Sequence, residues 1–125
     1  MDQLKMLGAV VLVLGLSACA SDKTPATADV AVSREAVAAA TSAGAADLAP
    51  AEMQSAREKL MRANQALAAK DYKAAQDLAI QASADAQLAQ SKANSSKATM
   101  AADELQQNIR LLREELQRAN ATSQQ

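Results

Sequence analysis

The stretch PAEMQSAREKLMRANQALAAKDYKAAQDLAIQASADAQLAQSKA, residues 50–93, decides the fold. Its apolar residues, mostly alanine, recur at alternating spacings of three and four, which is typical of one buried face on an α-helix. Pro50 suits the first position of a helix, and Asp71 suits the N-cap of the next one. Since only a tight turn over residues 68–72 separates the two helices, they must be antiparallel neighbours. The stretch therefore predicts a helical hairpin.

The two predicted helices carry apolar seams of matching length. Alanine lets helix axes approach closely, but each buried alanine removes little area from water at ~25 cal/mol per Å². We therefore expect a thin, alanine-lined contact of modest stability. The seam residues are Met53, Ala56, Leu60, Ala63 and Leu67 on the first helix, and Tyr72, Ala75, Ala79, Ala82, Ala86, Ala89 and Ala93 on the second.

Three motifs accompany these seams: GAADLAP at 44–50, AREKLMRA at 56–63 and DYKAAQDLAIQASADA at 71–86. On these motifs, the segment from Ser42 to Ala93 resembles the bacterial lipoprotein family catalogued as domain of unknown function 4398. The hairpin is also similar to half of a tetratricopeptide unit. The family resemblance implies a cell-envelope protein, because relatives tend to occur beside proteins with OmpA-like, peptidoglycan-binding domains.

The N-terminal residues have the pattern of an export signal. The apolar run 6–16 is shorter than the roughly 20 residues that a spanning helix needs, and it leads into LSAC at 16–19. This lipobox resembles that of bacterial lipoproteins, which implies cleavage between Ala18 and Cys19 and a covalent lipid on Cys19. Ala20, in place of aspartate, implies the periplasmic face of the outer membrane in a Gram-negative bacterium. The alternative for this only cysteine is a free thiol or an intermolecular disulfide.

The chain divides into segments by composition. Residues 20–29 are small and polar without an apolar period, which favours a flexible tether, and Ser33 is a candidate N-cap for a short first helix. We expect an all-α fold made of a lipoprotein signal peptide (1–18), a lipid-anchored flexible tether (19–32), an alanine-rich helical hairpin domain (33–97), a coiled-coil-like helical extension (98–120) that projects as the long third helix, and a frayed tail (121–125).

A second apolar stripe follows the polar residues 94–96. Because such a stripe is costly in water, something should cover it. Either the helix bends back at residues 94–96 and packs on the first helix, or the stripe forms a coiled coil with a second copy or another envelope protein. We call this set the distal stripe; it comprises Ala98, Ala102, Leu105, Ile109, Leu112, Leu116 and Ala119, and its candidate interaction residues are Leu105, Ile109, Leu112 and Leu116.

Composition narrows the function classes. The net charge is −1 with charges of both signs interspersed, so no basic block predicts a nucleic-acid partner. Histidine is absent and the only cysteine is assigned to the lipid, so we expect no metal, no cofactor and no catalytic triad. The sequence predicts a non-enzymatic, lipid-anchored structural or adaptor element of the periplasm. We expect the protein to self-associate or to bind another envelope protein. The family resemblance makes an OmpA-like peptidoglycan-binding protein one candidate. The alternative is a regulatory module of the periplasm that binds a peptide or an enzyme.

Overall fold

The computed structural model describes residues 23–124 of the chain, and the expected signal peptide and Cys19 lie outside this range. Within it, all regular structure is helical and no strand occurs. The predicted all-α fold with a long final helix is confirmed. The helices are α1 (Lys23–Ser42), α2 (Ala45–Leu48), α3 (Pro50–Ala68) and α4 (Tyr72–Ser123).

The long helix α1 lies along the hairpin that α3 and α4 form. Val30 packs in one cluster with Ala63 and Ala79, whereas Ala40 packs in a second cluster that includes Met53 and Ala93. This order makes α1 parallel to the first half of α4 and antiparallel to α3. The N-terminus of α1 and the α3–α4 turn therefore lie at the same end of the bundle, which we call the base.

The centre of the bundle is an alanine seam. Six alanines of α4 are fully buried, at residues 75, 79, 82, 86, 89 and 93, and Met53 is the largest side chain with less than 2% exposure. Leu60 and Leu67 are half-buried against this core, as is Tyr72 at the base. The seams expected on both hairpin helices are thus the faces that the structure buries.

The start of α1 differs from the prediction. Residues 23–32 are the first half of a helix rather than a flexible tether, since Ala26 and Val30 are buried against the hairpin. Pro25 is compatible with this helix because it lies in the first turn, where its missing N–H is not needed. Ser33 is not an N-cap, because it lies buried inside the helix and its hydroxyl donates to the Val30 carbonyl at 2.9 Å.

The end of α4 also differs from the prediction. The helix passes through residues 94–96 without a bend, so the arrangement in which the extension folds back on the first helix is wrong. It continues to Ser123, so residues 121–123 are helical rather than part of a frayed tail, while Gln125 lies outside the described range. The expected projecting helix is therefore three residues longer than its predicted end at residue 120.

The turn at the base is fixed by backbone hydrogen bonds. Asp71 N–H donates to the Ala66 carbonyl at 2.9 Å and Lys70 N–H to the Leu67 carbonyl at 3.1 Å, which is a Schellman motif. The side chain of Asp71 then accepts from Ala74 N–H at 3.1 Å, as expected of an N-cap. One aspartate thus ends α3 through its backbone and starts α4 through its side chain.

We expect the substitution Ala86→Leu to lower the free energy of unfolding by about 1–3 kcal/mol, because the seam has no room for a larger side chain. Ala84→Leu, at an exposed position two residues away, should change it by less than about 0.5 kcal/mol. Urea unfolding followed by the fluorescence of Tyr72, the only aromatic residue, measures both. Equal effects of the two variants would contradict a seam set by close helix approach.

Candidate interaction surface

Two ion pairs lock α3 to the first half of α4. Asp85 Oδ2 accepts from Lys59 Nζ at 2.6 Å and from Ser55 Oγ at 2.7 Å, and all three side chains are partly buried. Nearer the far end of the bundle, Lys92 of α4 pairs with Glu52 in the first turn of α3. These contacts fix the register of the hairpin, which small alanine side chains alone define weakly.

The two carboxylates of these pairs are held in the charged form. The hydrogen bond from Lys59 lowers the pKa of Asp85, and the bond from Ser55 adds to this while partial burial opposes it. The hydrogen bond from Lys92 likewise lowers the pKa of Glu52. Both carboxylates therefore stabilise the bundle at neutral pH, and that stabilisation is lost only in acid.

Polar contacts also hold α1 against the hairpin. Gln76 of α4 donates to Asp29 of α1 at 2.8 Å near the base. Arg34 of α1 donates to Asn64 of α3 at 3.2 Å, about one helical turn further along. The helices α1 and α3 thus hold the first half of α4 in place. The second half of α4 therefore starts from a fixed position.

The second half of α4 leaves the bundle. Every residue from 97 to 124 is exposed, so this part of the helix touches no core. Four large apolar side chains of the distal stripe lie on it, with exposed fractions of 60% for Leu105, 39% for Ile109, 60% for Leu112 and 63% for Leu116. The structure thus brings the four predicted interaction residues together on one face of a projecting helix. The other predicted site residues, Ala18 and Cys19, lie outside the described range.

The distal stripe does not face the side of α4 that packs in the bundle. At 100° per residue, its centre lies roughly 130° around the helix axis from the alanine seam. Going back toward the base, the same side of α4 continues through five exposed residues. A helix that lies against the distal stripe therefore meets no bundle residue beyond residue 97, whereas nearer the base this side of α4 borders α1. The five residues are Ile80, Ala84, Gln87, Ser91 and Asn94.

Other faces of the extension carry scattered apolar and charged residues. Leu111 is as exposed as its neighbour Leu112, at 61%, but lies in line with the alanine seam rather than in the distal stripe. Arg118 lies 3.6 Å from Glu114, one helical turn away, which is the pair that the sequence indicates. Such an exposed pair adds only about 0.3–0.5 kcal/mol, so the extension draws little stability from its charges.

The bundle also has a shallow groove of about 270 Å³ between α1 and α4. Asp29 and Val32 form its α1 side, and Ile80, Ser83 and Gln87 are among the α4 residues on the other side. Within residues 23–124, no three acidic, cysteine or histidine side chains are grouped to hold a metal ion. No helix in this range is both long and apolar enough to cross a membrane.

Sequence reasoning missed the ion pairs across the hairpin, although a signal for them exists. Lys59 and Asp85 lie equally far from Tyr72 along the chain, and so do Glu52 and Lys92. Opposite charges placed symmetrically about a turn face each other in an antiparallel hairpin. A search for such mirrored pairs would have found both contacts.

The fold and the surface define a class of protein: a small alanine-seamed helical bundle from which one long helix projects. The family model for a domain of unknown function (DUF4398) matches residues 28–105, which is more than half of the chain, and the protein belongs to this family. The match covers the bundle and the start of the distal stripe, and it begins inside the stretch expected to be a tether. No match was found among curated proteins or among solved structures.

We expect Asp85→Asn to lower the free energy of unfolding by about 1–2 kcal/mol at pH 7, because the amide loses the charge-assisted bond to Lys59. The pKa of Asp85 is lowered below 3.8 in the folded state, so wild-type stability should fall toward that of the variant as the pH drops through this range. Urea unfolding at pH 7, 5, 3 and 2 measures the difference. Asp103→Asn, on the exposed extension, is the control. A difference that stays constant down to pH 2 would contradict this role of Asp85.

Proposed function

We propose that this protein is a non-enzymatic lipoprotein of the bacterial envelope, anchored to the periplasmic face of the outer membrane, and that it works as a structural or adaptor element. The observation that supports the adaptor role is the distal stripe, whose four large apolar residues are exposed on a helix that leaves the bundle. The lipobox at residues 16–19 supports the anchor. A partner with an OmpA-like peptidoglycan-binding domain is the one that the family resemblance implies.

The fold supports a defined direction for this adaptor relative to the membrane. Three residues lie between Cys19 and Lys23, the first residue of α1, so the four Cα–Cα steps from one to the other span at most about 14 Å. A lipid on Cys19 therefore keeps the N-terminus of α1, and with it the base of the bundle, near the headgroups. Since α1 and the first half of α4 are parallel, a bundle that stands upright on this base directs α4 away from the membrane.

The length of α4 sets the distance at which the distal stripe is presented. Gln76 bonds Asp29 near the base, so its level along the bundle is fixed. At 1.5 Å per residue, Ala98 lies about 33 Å beyond Gln76 and Ala119 about 65 Å beyond it. An anchored copy thus holds its apolar contact surface several tens of ångströms from the bilayer, where partners within the periplasm are reached.

The alternative, a module that captures a peptide on the hairpin, has less support. The inner faces of α3 and α4, which would form the groove of a tetratricopeptide-like unit, are covered by α1 through Val30 and Ala40. The remaining groove at Ile80 is shallow. Within residues 23–124, most of the exposed large apolar residues lie on the extension, which favours a long helical contact over peptide capture.

The anchor is tested by the mass and location of the chain in cells. We expect the wild-type chain to lack residues 1–18, to carry the mass of a diacylglycerol and an amide-linked acyl chain on Cys19, and to fractionate with the outer membrane. Cys19→Ala should keep residues 1–18 and gain no lipid, whereas Ser21→Ala, two residues away, should behave as wild type. An unmodified thiol in the wild-type chain, with residues 1–18 still attached, would overturn the proposal.

The adaptor role is tested by a photo-crosslinking amino acid in intact cells. Placed at residue 112, in the distal stripe, it should trap an envelope protein or a second copy with at least tenfold higher yield than at residue 111, which is equally exposed on another face. Under the alternative function, a probe at residue 80 in the groove should trap a peptide or an enzyme instead. Equal yields at residues 111 and 112 would contradict an adaptor that works through the distal stripe.

A further inference from the structure

We propose that the distal stripe pairs with the distal stripe of a second copy as a parallel, in-register, two-stranded coiled coil. The inference deepens the proposed function and rests on it in one respect, since a shared membrane anchor gives all copies the same direction. The composition of the stripe, its flanking residues and the position of the bundle support it independently of the anchor.

The large residues of the distal stripe occupy the two core positions of a heptad repeat. Ile109 and Leu116 fall at position a, while Leu105 and Leu112 fall at position d. An isoleucine at a between leucines at d favours two parallel strands over three or four. Alanines occupy the layers on either side of these four residues, so the helices approach most closely at the two ends of the contact.

The flanking positions are compatible with parallel pairing. In a parallel pair, a residue at position g faces the residue at position e five places further along the second copy. Asn108 then faces Arg113, and Glu115 faces Asn120. None of these pairs brings like charges together, and each offers an amide as hydrogen-bond partner to a charged group. No repulsion at these positions opposes the dimer.

The bundle leaves room for the second copy. The distal stripe lies roughly 130° around α4 from the alanine seam, so each bundle sits on the outer side of its own helix. The side of α4 that carries the stripe stays exposed back to Ile80. Two copies can therefore lie side by side along residues 98–119, where every residue of α4 is exposed. Nearer the base the same side of α4 borders α1, since Ile80 and Gln87 line the groove with Asp29 and Val32.

For copies that stand upright on one membrane, the anchor excludes the opposite direction. Each base lies within about 14 Å of a lipid on Cys19, and each α4 points away from the bilayer. An antiparallel pair of distal stripes would place one base several tens of ångströms above the membrane that holds the other. Copies that share a membrane therefore meet in parallel.

Disulfide trapping in membranes from cells that make the full chain tests the pairing. In a parallel pair each d layer brings identical residues together, so the single variants Leu105→Cys and Leu112→Cys should each form a covalent homodimer after mild oxidation. The yield should exceed that of Leu111→Cys, its equally exposed control, by at least tenfold. Co-production of two copies with different tags identifies the second chain as the same protein.

A second variant separates loss of pairing from loss of folding. Leu112→Asp, added to Leu105→Cys, should lower the homodimer yield at least tenfold, while Leu111→Asp in the same background should leave it unchanged. Trapping only when Ile109→Cys and Leu112→Cys chains are mixed would show antiparallel pairing and overturn the proposal. Trapping of a different protein at these positions, or yields no higher than that of Leu111→Cys, would overturn it as well.

Maleimide labelling of the wild-type chain in the same membranes distinguishes failure of this inference from failure of the proposed function. Cys19 is the only native cysteine, so the wild-type chain, once a reductant has opened any intermolecular disulfide, reacts with a maleimide only when that thiol carries no lipid. If Cys19 does not react and no homodimer is trapped, the proposed anchored adaptor is retained, but its partner is not a second copy. If Cys19 reacts, the proposed lipid anchor is wrong, whatever result the cysteine variants give.

Discussion

The close packing of three helices through alanine is the constraint on which the rest of this structure depends. Fully buried alanines face one another along α3 and α4, and α1 lies against both. Because each buried alanine contributes little apolar area, this contact determines the distance between the helix axes more than it contributes to the free energy of unfolding. Register is supplied by polar contacts at its margins, such as the pair of Lys59 with Asp85 and the bond from Gln76 to Asp29. Together these contacts hold the first half of α4 between α1 and α3.

Within α4, two kinds of surface follow each other on one continuous helix. The first half presents alanine to its own bundle, and the second half presents leucine and isoleucine to the surroundings. A chain that buried its largest side chains in its own core would show the reverse order. Isolated helical segments depend on packing for most of their stability, so the extension gains stability when its apolar face is covered. In the proposed dimer, covering this face adds stability that the bundle alone lacks.

The sequence predicted the hairpin well and its surroundings less well, for physical reasons that particular residues illustrate. The seams repeat over about four turns in residues 53–67 and about six turns in residues 72–93, and long periods of this kind have one structural interpretation. The start of α1 was mispredicted because Ala26, Val30 and Ser33 are small residues in a polar stretch, and their burial depends on a hairpin distant in sequence. The fate of the distal stripe stayed open because residues 94–96 interrupt the apolar pattern but contain neither glycine nor proline. The lipid on Cys19 and the function itself remain predictions.

The absence of any break in α4 between the turn and Ser123 has a mechanical consequence. Its 52 residues form one hydrogen-bonded cylinder of about 78 Å, with no glycine or proline to act as a hinge. Such a cylinder is a lever whose fulcrum is the clamped half. The free part, from residue 97 to Ser123, is about 39 Å long, so each degree of tilt displaces its end by about 0.7 Å, and a tilt of ten degrees moves it by about 7 Å.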